Sequence, residues 1–281
     1  MHMSKKEIRV QYMLPCRLNE ELKKLPLIFL PLAPLEWHGP HMVMGVDPIN
    51  AEHVALAVAK KVGGVVLPTL YMGTERERDA ESLQSLGFDK NDYVIGMNFP
   101  KAKGLYKSFY FNEELFSLVL RGYLELCIEH EYKYIYIVNG HGAVNHNEVI
   151  GRLCIEFSNK REGVKVAYSI AMPKKLVEEG SIAHAGMEET SIMMHYNSEW
   201  VDMAQLPPVD KKLKYTDYSI VDGGGFSGNP GKGHAVPHNL DPRIASNPEL
   251  GKKLFKDTVA DVSQRVLQTF EFENRNGGIH A

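Results

Sequence analysis

The chain of 281 residues carries 32 basic and 35 acidic side chains, a formal charge of -3, and 44% hydrophobic residues. This balance is that of a globular protein able to bury a large core; it excludes a disordered chain, and the lack of a basic stripe argues against a nucleic-acid partner. The most apolar run, Leu25 to Leu35, is too short to span a bilayer and is interrupted by Pro26, Pro31 and Pro34.

In chain order, the polar N-terminus lacks the early apolar core of a signal peptide. Cys16, Cys127 and Cys154 are odd in number and contain no Cys-x-x-Cys pair, so the expectation is a cytoplasmic protein with packed, unpaired thiols. Leu27–Leu30 reads as a short buried strand, and Pro31 to Pro40 as a loop. From Pro48 to Lys61, Ala51, Val54, Ala55 and Val58 recur at helical spacing, with Gly63-Gly64 as the exit. Val65 to Leu70 is a second strand. The polar stretch from Thr74 to Asp92 reads as an insertion or a mobile flap.

Asn112 is a cap for a helix reaching His130, with Leu115, Phe116, Val119, Tyr123 and Cys127 as its core stripe. Tyr132 to Val138 is β-rich, Val149 to Phe157 helical, and Val164 to Ala171 a further strand. The glycine-rich run Gly223 to Gly233 signals a loop. A final helix from Pro248 to Phe272 buries Leu250, Leu254, Val262, Val266 and Phe270. Strands alternating with helices, without internal repeat or linker, predict one α/β domain over residues 1–281: a mostly parallel sheet covered by helices on both faces, with ligands in the loops beyond the strands' carboxyl ends.

Three glycine-flanked segments hold most of the nitrogen and oxygen donors: Glu36-Trp37-His38-Gly39-Pro40-His41 with Asp47, then Asn139-Gly140-His141-Gly142, then His184-Ala185-Gly186 with Glu188-Glu189-Thr190-Ser191. Residues two apart in extended chain point the same way, so Glu36 and His38 can reach one ion or an adjacent pair. Mixed carboxylates and imidazoles suit Zn, Mn or Fe rather than calcium. Two such ions, bridged by a carboxylate, lower the pKa of a shared water and polarise a carbonyl.

These segments resemble, in order, the E-x-H-G-P-H, N-G-H-G and H-A-G-x-x-E-T-S motifs of the creatininase family, and Asn247-Pro248-Glu249-Leu250-Gly251 is also similar. The resemblance covers most of the chain and implies a creatininase-like α/β fold and a C–N bond hydrolase with two divalent metals. By resemblance, Glu36 and His141 bind one metal, His38 the other, and Asp47 bridges both. His184 is then the catalytic acid/base, passing a proton to the leaving nitrogen after a metal-bridging hydroxide attacks the amide carbon. Family members commonly assemble as homohexamers, so a homo-oligomer is expected.

The sequence departs from the creatinine-hydrolysing members at two places. Their second motif supplies a glutamate ligand where this chain has Ala143; Glu189 is the candidate replacement, ahead of Glu188. They also close tryptophans over the substrate from between the second and third motifs, whereas the two tryptophans here are Trp37 and Trp200. The implied substrate is therefore a small cyclic amide or formamide. The rival reading is a non-catalytic metal- or ligand-binding member, which Ala143 makes conceivable; two-metal phosphoester hydrolysis ranks last for want of nearby basic side chains. His41 is either a positioner of a ligand or a backbone-bonded histidine, and His53, His130, His146, His195, His234 and His238 default to surface or packing roles. Gly223–Gly228 matches G-x-G-x-x-G only formally, since Asn229-Pro230-Gly231 follows where a helix should begin; it reads as a rim loop. Neither a G-x-S-x-G elbow nor an H-E-x-x-H helix is present.

Overall fold

The structure, a computed structural model, describes residues 7–214, 216–221, 236–275 and 278–280. Helix α1 (Pro15–Lys24) leads into β1 (Leu27–Ala33), α2 (Val46–Val62), the short strands β2 (Val65–Val66) and β3 (Leu70–Tyr71), α3 (Ala80–Ser85) and α4 (Glu113–Glu129). There follow β4 (Tyr134–Asn139), α5 (Val144–Lys160), β5 (Lys165–Ile170), α6 (Lys174–Glu179), α7 (Met187–Tyr196), α8 (Pro242–Ala245), α9 (Pro248–Phe270) and a hairpin of β6 (Glu273–Arg275) and β7 (Gly278–His280). The main sheet runs β2-β1-β4-β5, all parallel, with β3 pairing the far end of β1 on the β2 side. The glycine-rich run at 223–233 and His234 lie outside the described residues.

Alternation along the strands sorts the core into two layers. Leu27 and Phe29 of β1, with Tyr136 and Val138 of β4, pack against Val54, Ala55 and Val58 of α2 and Val262, Val266 and Phe270 of α9. Ile28, Leu30 and Leu32, with Ile135 and Ile137, pack against Phe116, Leu120 and Leu124 of α4 and Val149, Ile150 and Leu153 of α5. Each fully buried side chain of this kind contributes about 1.5–3 kcal/mol. A central strand buried on both faces reads as a continuous apolar run, which is the pattern of β1. Among the described residues no helix is long and apolar enough to cross a membrane.

The expected strand at 27–30 extends to Ala33, through Pro31. The Phe29 carbonyl accepts from Leu67 N–H and the Leu32 carbonyl from Gly140 N–H, so odd residues of β1 bond toward β2 and even ones toward β4. Pro31, which has no N–H, thus faces the side where the edge leaves the sheet between Val66 and Leu70. The expected strand Val65–Leu70 is likewise split in two by that departure. In α4, Leu115 is 42% exposed rather than part of the core stripe, which runs through Phe116, Leu120, Leu124 and Cys127. Asn112 caps this helix as expected, its side chain accepting from Leu115 N–H at 2.7 Å, worth about 1 kcal/mol.

The segment from Thr74 to Asp92, expected to be an insertion or a mobile flap, is packed into a core of its own. Leu83 and Leu86 on and after α3 join Val94, Met97 and Phe99 around the buried indole of Trp37. Helices α7 and α9 cross closely: a Cβ on Gly251 would lie 1.9 Å from the Ser191 carbonyl oxygen, so glycine is required there. That crossing holds the first turn of α7 at the carboxyl edge of the sheet.

Candidate metal centre

The carboxyl ends of β1 and β4 and the N-terminal turns of α2 and α7 meet at one buried spot. Glu36 and His38 lie on the segment leaving β1, Asp47 in the first turn of α2, His141 two residues past β4, and Glu189 in the first turn of α7. The positive ends of both helices favour their carboxylates there. A Cβ on Gly140 would come 2.2 Å from the Asp47 carbonyl oxygen, so the glycine before His141 is what lets β4 approach α2. His184 is held by paired backbone bonds with Val221. Ala185 then turns through a left-handed conformation, φ 53°, into α7, and its N–H donates to Glu189 Oε2 at 2.6 Å.

All six expected site residues are brought together. Glu36, His38, Asp47 and His141 are 2%, 1%, 4% and 3% exposed. Asp47 divides its two oxygens: Oδ1 is 3.0 Å from His38 Nε2 and Oδ2 is 3.1 Å from His141 Nδ1. Glu36 Oε2 lies 3.2 Å from His141 Nδ1, and Glu189 Oε2 lies 3.5 Å from His38 Nε2. Two compact three-donor sets result, Glu36–Asp47–His141 and His38–Asp47–Glu189, sharing Asp47; a third comprises Glu36, His38 and His184. Glu188 is buried but belongs to none of these sets.

Hydrogen bonds fix which ring nitrogens are offered. His38 Nδ1 lies 3.1 Å from the Glu36 carbonyl, which can only accept, so Nδ1 carries a proton and Nε2 is the nitrogen turned to the carboxylates, free to ligate once its own proton is lost. That Nε2 is buried without a hydrogen-bond partner. His184 Nε2 donates likewise to the Trp37 carbonyl at 3.0 Å, leaving Nδ1 3.7 Å from Glu36 Oε2. The rings of His38 and His184 are 4.2 Å apart.

Three carboxylates and three imidazoles in a dry cage are a poor way to stabilise a fold, because each buried charge costs several kcal/mol and apolar packing would serve as well or better. The donor set, the split carboxylate and the orphaned His38 Nε2 all fit a pair of divalent cations. In the metal-free protein the imidazoles stand in for that positive charge. Burial opposes a charge on His38, but Asp47, Glu189 and Glu36 outweigh it and raise it from 6.5 to about 10; burial likewise opposes, and Glu36 and Asp47 overcome, in raising His141. Burial pushes Glu189 up against the lowering pull of His38, whereas on Glu36 the cost of burial is overcome by His141 and His184, which hold it low. Burial drops His184 to about 4.

A raised histidine pKa stabilises the metal-free fold below pH 6.5, and that stabilisation is lost as the pH rises through about 10. A ligating nitrogen must be deprotonated, so metal uptake releases protons and apparent affinity rises with pH. Calorimetric titration at pH 7 in buffers of differing ionisation enthalpy is expected to show release of at least about one proton per chain. Heats independent of the buffer would contradict this protonation scheme.

Three nearby residues carried no signal in the sequence. Tyr110 makes a short hydrogen bond to Glu36 Oε1, and its hydroxyl accepts from Met97 N–H at 3.2 Å. His146, expected to pack or face solvent, is fully buried and polar: Nδ1 accepts from Thr74 N–H, and Nε2 donates to Asn139 Oδ1, which also accepts from His141 N–H. Glu75 stands behind His141. His41, left open between two roles, is a member of none of the donor sets; its Nε2 lies 3.1 Å from Thr190 Oγ1, tying the first motif to the third. Cys127 and Cys154 are buried and Cys16 is exposed, all three free.

Comparison with known proteins bears on the family and the fold. The family model described as creatininase, creatinine amidohydrolase, matches residues 13–266. A solved creatinine amidohydrolase (creatininase) is similar at TM-score 0.64 and 18% identity, covering 95% of this chain and 99% of that one. A structure described as creatininase Mn gives 0.62 and 19%, over 94% and 99%, and a creatininase variant of Zn-Zn type gives 0.63 and 18%, over 95% and 99%. Among curated proteins none matches the chain by sequence. With a family model spanning nearly its whole length and the parallel sheet of the solved creatininases, this chain belongs to the creatininase family.

Proposed function

We propose that the protein is a metal-dependent amidohydrolase that hydrolyses a small cyclic amide or formamide with two divalent ions, Zn, Mn or Fe. The observation that carries the reading is Asp47, whose two carboxylate oxygens face His38 on one side and His141 on the other. Glu36 and His141 would hold one ion, His38 and Glu189 the other, and Asp47 both. Bound there, the pair would supply an acidified water and a Lewis acid for the substrate carbonyl.

The chain's own contribution is proton movement and orientation. His184 is neutral at pH 7, and its Nδ1 lone pair faces the site while the Trp37 carbonyl holds the other nitrogen. Nδ1 can take a proton from the attacking water and return it to the leaving nitrogen. Tyr110 holds Glu36 from behind, so that its second oxygen stays directed at His141.

Two features favour a formamide or other small amide over creatinine. Trp37 is buried in the packing of the 74–105 segment, and Trp200 packs in a separate apolar cluster, so neither indole is offered as a stacking wall for a flat ring. The non-catalytic reading drew its force from Ala143; with Glu189 3.5 Å from His38, the second donor set has its third member without that position. Purified protein loaded with Zn or Mn should hydrolyse at least one member of a panel of lactams, formamides and short peptides. Chelation should abolish turnover and metal restore it; undiminished turnover by metal-free protein would refute the proposal.

A further inference from the structure

His141 directs Nδ1 at Glu36 and Asp47, yet its other ring nitrogen, Nε2, is buried and has no hydrogen-bond partner. Facing it is a carboxylate oxygen, Glu75 Oε1, at 3.8 Å. Resting on the metal-centre reading, we propose that Glu75 is a positioning residue for His141, accepting a hydrogen bond from Nε2–H when Nδ1 is given to a metal ion. The chemistry requires such an acceptor. A neutral imidazole that donates its Nδ1 lone pair must carry its proton on Nε2, and a buried N–H left unsatisfied costs about 1–3 kcal/mol. A carboxylate in that place orients the ring and makes the opposite nitrogen a better donor to the metal.

Glu75 is built to wait there. Its Oε2 accepts from Arg76 N–H at 3.1 Å, which leaves Oε1 turned to His141. The backbone on either side is pinned: Phe111 N–H donates to the Gly73 carbonyl at 2.9 Å, Thr74 N–H to His146 Nδ1, and Arg78 N–H to the Val94 carbonyl at 2.8 Å. A Cβ on Gly73 would lie 2.4 Å from Pro34 Cδ, so a glycine is needed for the chain to pass this close to the end of β1. Closing from 3.8 Å to a hydrogen bond of about 2.8 Å needs only a side-chain adjustment of about 1 Å.

The test is competition for Zn between a chromophoric chelator and full-length wild-type protein, Glu75→Ala and Glu75→Gln, with thermal unfolding of each metal-free protein alongside. Glu75→Ala should weaken one of the two ions by about 10–100-fold and leave the other near wild type, an asymmetry that a general loss of metal-free stability would not produce. Glu75→Gln, whose amide oxygen can accept the same N–H, should recover most of that loss. Two wild-type affinities in Glu75→Ala would overturn the assignment, as would equal weakening of both ions with a lowered metal-free melting temperature, the mark of a merely structural residue. Wild-type protein that takes up no Zn would overturn both this inference and the metal-centre reading beneath it.

Discussion

Replacing Asp47 by alanine should strip both metal ions from the protein and take amide hydrolysis to background. Asp47 is the one group common to the two donor sets on either side of it, and it does this by dividing its oxygens, Oδ1 toward His38 and Oδ2 toward His141. Removing one partner from a buried charge cluster costs about 3–5 kcal/mol. At 1.4 kcal/mol per decade that is roughly two to three and a half decades of affinity, suffered by each ion because both lose the same ligand. Asp47→Asn is the stricter version: it keeps the shape but leaves one oxygen and one NH₂, and an NH₂ cannot ligate. Metal content by elemental analysis after gel filtration is the measurement. Any other single ligand, Glu189 for example, should release one ion and spare the other, so an Asp47→Asn protein holding two ions would remove Asp47 from the bridging role.

Replacing His184 should have the opposite signature, with metal content intact and turnover lower by about 10²- to 10⁴-fold, the range for loss of a positioned acid/base group. Its Nε2 is committed to the Trp37 carbonyl, so the nitrogen facing the site is free to cycle a proton. Because burial lowers its pKa to about 4, the accepting form is present above that pH and is lost as the pH falls through it. The acid limb traceable to this residue should vanish in His184→Ala, and added imidazole should restore part of the rate. The competing geometry is explicit, since His184 also forms a three-donor set with Glu36 and His38. Loss of a metal ion on replacing His184 would make it a ligand rather than the proton carrier.

The six residues converge from motifs that were each visible locally. Glu36 and His38 stand two apart beyond an apolar strand, His141 follows a β-rich run, and Glu189 lies in the first turn after a glycine that starts a helix. Glycine, helix periodicity and cap chemistry act over a few residues, so they are written in the local sequence. The partners that hold those ligands are not. Tyr110 meets Glu36 across 74 positions and Thr74 meets His146 across 72, with no period or spacing to announce either. Glu75 lay in a polar stretch whose burial depends on Trp37 drawing Leu83, Leu86 and Phe99 around it.

By itself the sequence determined the alternation of strands and helices, the parallel sheet they imply and the chemical types gathered at its carboxyl edge, because local periodicity decides which face of each element leaves water. Only the tertiary structure decided that Asp47 stands between His38 and His141, that Glu189 comes within 3.5 Å of His38, and that Glu75 backs His141. Those facts depend on how closely β4 meets α2 at Gly140 and α7 meets α9 at Gly251, and such close approaches are set by packing between distant segments.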